Sequence, residues 1–573
     1  MDDKAPQSQA VSGPQPSGTF HGPERGRQSA LRRWVALLTL AVMTAAWFGG
    51  LGYRKLADPD EGRYAEIPRE MALSGDWVTP RLNQIKYFEK PPLQYWATAS
   101  AYKLFGFGEW TTRMWPAVTG LLGILMTWFA GRRLFGGQAG QLAALVLIGT
   151  PYYVVVGHIA TLDMGVTFFL TAALYAFLLA QGEPAGSRRD RLWMAAAWAC
   201  MGFAVLSKGL IGVVLPALAL VAYCAVQRVL SVWRRLHPVS GFALLLIVCA
   251  PWFVRVSLAN PEFPGFFFLH EHFARFTSTV HQRGGPLWYF VPIVLLGMLP
   301  WIVVLGSAVK HAWRRGGHAK AFSPERFLLV WAACVFVFFS VSGSKLPAYV
   351  LPMVPALALL AGARMVEMTE SQILRCVIPP AVLGAILIFA ANEVVETLHD
   401  GQSVYPLYEH YSLWTDAATL LILVTTNLLA LRRRPQRADL RLFALVWLIA
   451  AQVVLTGFES LSPLRSAWIT AQEIQPHLRP DTQVFSVGRY EQTLPPYLKR
   501  PVVLVAHAGE LQFGIEQEPT RWLPTISDFE REWRAASSAI ALMNPASYEQ
   551  ALADGLPMEV ISRAEQRVVV RKP

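Results

Sequence analysis

Between Trp34 and Phe458, apolar runs recur that are each long enough to cross the roughly 30 Å hydrocarbon core of a bilayer, separated by short polar connections. In hydrocarbon every backbone N–H and C=O must find a partner inside the protein, which restricts such a chain to a bundle of helices. A soluble enzyme with 53% hydrophobic and 16% charged residues would need its apolar residues dispersed, and here they are clustered. The expected spans are 34–53, 113–132, 138–157, 164–181, 192–206, 210–227, 239–256, 287–309, 327–342, 349–364, 376–391, 413–431 and 441–458, about thirteen by length.

The net charge of +12 raises the question of a nucleic-acid partner, and the placement of the basic residues answers it. Arg32 and Arg33, Arg132 and Arg133, Arg188, Arg189 and Arg191, Arg234 and Arg235, Arg314 and Arg315, and Arg432 to Arg434 fall on alternate connections. That rhythm follows the positive-inside rule, so the basic charge marks the cytoplasmic side and no nucleic acid is implied. An odd number of spans puts the N-terminus inside and the C-terminus outside. The loops 54–112, 257–286 and 392–412 then lie outside.

Residues 1–33 are rich in Gly, Pro, Ser and Gln and are expected to form a disordered cytoplasmic tail. They carry no small-residue cleavage site, so the first span is expected to be retained. All five cysteines, Cys200, Cys224, Cys249, Cys334 and Cys376, lie in or beside spans and read as small packing residues. After Phe458, β-branched runs at Gln483–Val487, Val502–Val505 and Val568–Val570 alternate with helical stretches such as Ile526–Ala536. Residues 461–573 are therefore expected to form a small α/β domain outside the membrane. It shows no phosphate loop, metal-ligand spacing or nucleophile motif, which leaves it a lid or a stabilising role. No internal repeat is evident, which counts against transporters built from repeats.

The densest polar constellation lies in the first outside loop. Asp58-Pro59-Asp60-Glu61-Gly62-Arg63-Tyr64 is followed by Lys86-Tyr87-Phe88-Glu89-Lys90-Pro91-Pro92-Leu93. Asp58 as N-cap, Pro59 as first helical residue and Glu61 as third would make a capping box for a helix ending near Gly75. Tyr64, Ile67 and Met71 would share one face and lay that helix along the membrane interface, with a kink at Pro68. Capping accounts for Asp58 and Glu61 and leaves Asp60 without a task. Asp163, Lys208 and Lys345 stand where spans meet the outside surface. Such charges either snorkel to the headgroups or line a wet site.

The first-loop pair of motifs, continued by Gln94-Tyr95-Trp96, together with His158 to Asp163 and Ser207-Lys208-Gly209, resembles the aminoarabinose transferases of bacterial lipid A. More widely it is similar to the protein O-mannosyltransferase and oligosaccharyltransferase group of GT-C glycosyltransferases. The resemblance covers about residues 34–460. It implies a polytopic helical transferase domain at those residues, including interfacial helices in the 54–112 loop. It further implies inverting transfer of 4-amino-4-deoxy-L-arabinose from undecaprenyl phosphate to a lipid A phosphate, at the periplasmic face of the inner membrane. Resistance to polymyxin and other cationic peptides would follow.

Under that resemblance Asp60 matches the acidic residue of the family motif, and Glu61, Asp163 and Lys208 complete the expected catalytic set. The leaving group is a polyprenyl phosphate, so cations must meet negative charge growing on its oxygens. Arg63 and Lys90 are expected in that role, with Arg275, Lys345 and the hydroxyls of Tyr87 and Tyr349 assisting. No cofactor is required by this chemistry. His270-Glu271-His272 admits two readings: a structural zinc joining Glu89 and His270, or a hydrogen-bonded interfacial histidine. Two other functions remain open. One is a related glycosyltransferase acting on protein or polysaccharide; the other is a lipid flippase or transporter, which should instead place its charges near mid-bilayer.

Overall fold

The structure, a computed structural model, describes residues 23–274, 284–316, 322–399 and 401–573. The chain divides into two units, Met1–Ala45 and Ala46–Pro573. A helix begins at Pro23 and runs to Phe48, so residues 23–33, expected in the tail, are helical. Pro23 takes the first helical position, where its missing N–H costs nothing, and Arg, Gln, Ala and Leu follow as good helix formers. The rest of the expected tail, residues 1–22, lies outside the described residues.

Among the described residues eight helices are long and apolar enough to cross a membrane, and ten spans result if each of two bent pairs counts as one. About thirteen were expected. The other three coincide with helices that fall short of that test: Leu37–Phe48 and Ile211–Gln227 are short, and Arg188–Lys208 carries Arg188, Arg189, Asp190 and Arg191 in its first turn. The bent pairs are Gly137–Ile148 with Pro151–Gly157, at 67°, and Phe290–Gly297 with Ile302–Arg315, at 109°. Each contains a proline, Pro151 or Pro300, that has no N–H to continue the helical ladder. Close approach elsewhere relies on small residues. A Cβ on Gly131 would come within 2.7 Å of the Gly140 Cα on the neighbouring helix.

The loop between the first two spans contains a short hairpin, β1 (Arg81–Leu82) and β2 (Ile85–Lys86). Its turn residues Asn83 and Gln84 both have positive φ, the geometry of a tight hairpin turn. The C-terminal residues form a six-stranded sheet of β3 (Gln483–Val487), β4 (Val503–Val505), β5 (Trp522–Leu523), β6 (Ala539–Met543), β7 (Glu559–Ala564) and β8 (Arg567–Arg571), in the order β5-β4-β3-β6-β8-β7. The strands from β5 to β6 run parallel, and β8 and β7 add antiparallel to the β6 side.

Alternation along the strands sends two sets of side chains to opposite faces. Phe485, Ala541, Met543, Val568 and Val570 pack on one face against Phe529, Trp533 and Tyr548 from the domain's own helices. On the other face Val484, Ile540, Leu542 and Val569 share a core with Tyr64, Ile67 and Met71 of the Asp60–Ser74 helix. The apolar face expected to lie on the membrane interface is therefore covered by the C-terminal domain. A single face of three apolar residues looks the same in sequence whichever apolar surface it meets. Gly62 allows the contact, since a Cβ there would stand 2.4 Å from the Gln492 carbonyl carbon.

Candidate active site

The Asp60–Ser74 helix passes through Pro68 and ends at Gly75, whose φ of 75° supplies the left-handed cap. It begins without the expected capping box: Pro59 occupies the N-cap with no side-chain bond. Asp58 is drawn instead to the C-terminal domain, where its carboxylate accepts the Thr493 N–H at 2.8 Å and the Thr493 hydroxyl at 2.7 Å. Burial, then the nearby Glu491 charge, pushes the Asp58 carboxyl up to about 7.

Glu61, expected in the catalytic set, points away from the cleft. It accepts the Ala57 and Ala160 N–H groups at 3.1 and 3.0 Å and two Arg113 nitrogens at 2.7 Å each. Burial alone would raise its pKa, but the Arg113 guanidinium beside it holds the carboxyl down at about 2. Arg113 also donates to the carbonyls of Leu51, Arg54 and Lys55. Together the pair ties the start of the loop to the Glu109–Phe135 helix.

Asp60 turns the other way, into a cleft whose wall carries four carboxylates, Asp60, Glu89, Asp163 and Glu510, and three cations, Arg63, Lys90 and Lys208. Tyr64, Thr161 and Tyr349 complete its polar lining. Arg63 forks between two acids, one nitrogen 2.6 Å from Asp60 and another 2.5 Å from Glu510. Burial works against its charge, yet Tyr87, Glu510 and Asp60 around it raise its pKa further. The Arg63 Nε is buried and has no hydrogen-bond partner among the described residues.

Asp163 opens the Asp163–Gly182 helix, and Lys208 closes the Arg188–Lys208 helix. Each charge complements its helix dipole, a carboxylate at an N-terminus and an ammonium at a C-terminus. The Lys208 ammonium donates to the Asp163 carboxylate and stands 4.6 Å from the centre of the Tyr349 ring. Lys90 donates to the Glu89 carbonyl at 2.7 Å.

The remaining expected residues are placed differently. Tyr87 is buried behind Arg63, with its hydroxyl 3.5 Å from Glu510, and burial raises its pKa far above the ordinary value. Lys345 is buried and donates to the Ser342 carbonyl at 2.7 Å, outside the cleft lining. Arg275 and the Glu271 and His272 side chains lie outside the described residues. Glu89 is in the cleft wall, whereas the His270 ring stacks on Phe266, which stacks on Phe513 of the C-terminal domain. Among the described residues no group of three His, Cys, Asp or Glu could hold a metal ion.

Glu510 was not anticipated. It sits in the short turn Gly509–Leu511, steadied by Gln492 at 3.0 Å. A lone glutamate in Ala508-Gly509-Glu510-Leu511 carries no motif.

Residues 33–264 match the family described as dolichyl-phosphate-mannose-protein mannosyltransferase, and residues 470–572 match the aminoarabinose transferase C-terminal domain. The undecaprenyl phosphate-alpha-4-amino-4-deoxy-L-arabinose arabinosyl transferase 1 of Sodalis glossinidius is 30% identical over 549 residues, covering 91% of this chain and 94% of that protein. The chain belongs to the aminoarabinose transferase family. The arabinosyl transferase of Edwardsiella ictaluri is 34% identical over 350 residues, 59% of this chain, and the chain spans 61% of that relative's length. For two Aeromonas relatives the share spanned is 58% each.

The crystal structure of ArnT from Cupriavidus metallidurans bound to undecaprenyl phosphate superposes with a TM-score of 0.87 at 39% identity, covering 94% of this chain and 98% of that one. The oligosaccharyltransferase of Archaeoglobus fulgidus in the apo form, 14% identical with a TM-score of 0.50, shares the fold. For this member of the aminoarabinose transferases, the GT-C fold anticipated from the first-loop motifs is the observed one. The chain is a multi-pass membrane protein with a C-terminal α/β domain.

Proposed function

We propose that the chain transfers 4-amino-4-deoxy-L-arabinose from undecaprenyl phosphate to a phosphate of lipid A, with inversion, at the periplasmic face of the inner membrane. The observation that carries this reading is the mixed-charge cleft. A donor that joins an ammonium-bearing sugar to an anionic phosphate needs acids and bases within one small site, and Asp60, Asp163 and Glu510 face Arg63, Lys90 and Lys208 there.

In the proposed step an acceptor phosphate oxygen attacks the sugar's anomeric carbon as the bond to the undecaprenyl phosphate oxygen breaks. The electron pair leaves on that phosphate. An acceptor phosphate is already anionic near neutral pH, so the attack needs no general base. Arg63 and Lys90, both in the cleft wall, meet the charge growing on the leaving phosphate. Asp60, the most exposed of the Arg63 partners at 41%, orients the sugar's ammonium or the acceptor. Lys208 and Asp163 hold each other in place at the cleft floor.

The periplasmic assignment is supported by the arginines. Arg132, Arg133, Arg314 and Arg315 close their helices at last turns, and Arg188, Arg189 and Arg191 open theirs. These ends alternate with those that carry Asp163, Lys208 and the first loop, as the positive-inside rule requires of a site facing outward.

The deciding experiment incubates purified protein with aminoarabinosyl undecaprenyl phosphate and lipid A. A mass gain of one aminoarabinose on lipid A with release of undecaprenyl phosphate is expected, and Asp60→Asn should abolish most of it while the protein stays folded. Release of undecaprenyl phosphate only with a protein or polysaccharide acceptor would replace the acceptor assignment. Lipid movement without bond cleavage would replace the enzyme reading.

A further inference from the structure

A second cavity, of about 460 Å³, is cut into the bundle and shares no lining residue with the cleft. Both broken spans border it. Pro151 and Val155 follow the first break, and Leu296 and Leu299 flank the second. Where the backbone veers off at a proline, the facing helices do not refill the space. They present Gly384, Ala450 and Ala451. Protein interiors tolerate few voids larger than a water molecule, and the apolar part of this one is not filled by protein atoms. In a bilayer the available filler is a lipid chain.

The lining is amphipathic. Leu299, Ile422 and Trp447 form the apolar part, whereas Asn392, Glu396, Ser412 and Thr415 gather toward one rim. Trp447 is 4% exposed and closes the apolar end of the cavity. At the rim Asn392 donates to Thr415 and Asp416, and Glu396 meets no cation among the described residues. Between Arg375 and Arg432 the sequence contains no Lys or Arg, against Glu393, Glu396, Asp400, Glu409 and Asp416 in the same stretch. An acidic rim attracts an ammonium headgroup and repels a purely anionic one.

We propose that this cavity seats an acyl chain of one ammonium-bearing glycerophospholipid, with its headgroup at the Asn392–Glu396 rim. The seat adjoins the cleft through a single short helix. Pro151 and Val155 face the cavity, while Tyr152 donates to the carbonyl of Pro347, next to the cleft residue Leu346. A bound chain fills the space behind the helix that positions this wall.

The test is native mass spectrometry of the full chain after exposure to an equimolar mixture of phosphatidylethanolamine and phosphatidylglycerol. Wild type is expected to retain one phosphatidylethanolamine. Gly384→Leu sends a side chain toward Trp447 and Leu299, whose nearest atoms stand 3.2 and 3.3 Å from a Cβ built there, and should lose the lipid. Ala391→Trp, at an exposed rim position, tests the same point without touching the core. Glu396→Gln should retain a lipid with no headgroup preference. Preferential retention of phosphatidylglycerol or of added undecaprenyl phosphate would overturn the proposal, as would undiminished retention by Ala391→Trp.

Discussion

Two adjacent acids, Asp60 and Glu61, look interchangeable in sequence and do opposite work. Glu61 is 2% exposed and neutralises a fully buried Arg113. Glu61→Ala leaves that guanidinium without its counter-charge, which costs about 3–5 kcal/mol. The expected result is a sharp fall in the thermal unfolding midpoint of the purified protein, whereas Asp60→Asn leaves that midpoint near wild type. Equal stability in the two variants would sink the assignment of Glu61 as a strut. Glu510 belongs with Asp60: it takes one prong of the Arg63 fork. Glu510→Gln keeps the shape and removes the charge. A hydrogen bond to a charged group is worth about 1.5–3 kcal/mol, so the rate of the proposed sugar transfer should fall roughly ten- to hundredfold with folding intact. A variant that turns over like wild type would show the C-terminal domain contributing nothing chemical.

At the scale of elements, the Asp60–Ser74 helix is held from both ends of the sequence, by Arg113 through Glu61 and by Thr493 through Asp58. The second tie responds to pH. The Asp58 carboxyl ordinarily titrates at 3.8 and is raised to about 7 by burial and by Glu491. A group that binds its proton more tightly when folded stabilises the fold fully below its unfolded pKa and loses that contribution as pH rises through the folded one. Docking of the domain should therefore weaken between about pH 4 and pH 7. Asp58→Asn, which can still accept from Thr493, should flatten this dependence. Unfolding midpoints of the two proteins measured from pH 5 to 8 should diverge as the pH rises, and parallel curves would refute the role given to Asp58. Helix ends likewise explain why Asp163 and Lys208 meet: each sits where its own helix dipole favours its charge. That much was legible locally, since residue type and helix terminus are read from the same few positions.

For the whole molecule, legibility divides by distance along the chain. Apolar runs are a local signal, and they located the helical bundle, whereas the breaks at Pro151 and Pro300 within two of its spans were not read from them. Of the cleft lining, Asp60, Arg63, Glu89, Lys90, Asp163, Lys208 and Tyr349 were legible, because motifs and span ends mark them. Glu510 escaped because nothing near it in sequence says that its turn lands beside Arg63. For the same reason the partner of the Tyr64, Ile67 and Met71 face was misread. The position that registers this long-range fit is Gly62. A Cβ there meets the Gln492 carbonyl carbon and the Thr493 nitrogen at 2.4 and 2.5 Å, and these are backbone atoms that cannot swing aside. Gly62→Ala must push the domain's Gln492–Thr493 segment off the helix, an overpacking that costs about 1–3 kcal/mol. The Asp58–Thr493 and Arg63–Glu510 contacts lie on either side of it, so both should loosen together. Hydrogen exchange is expected to quicken in residues 488–511 of the variant and to stay unchanged in the helices of the bundle, with sugar transfer reduced in step. Unaltered exchange in that segment, or reduced transfer without it, would mean that the domain is not seated on the helix at Gly62.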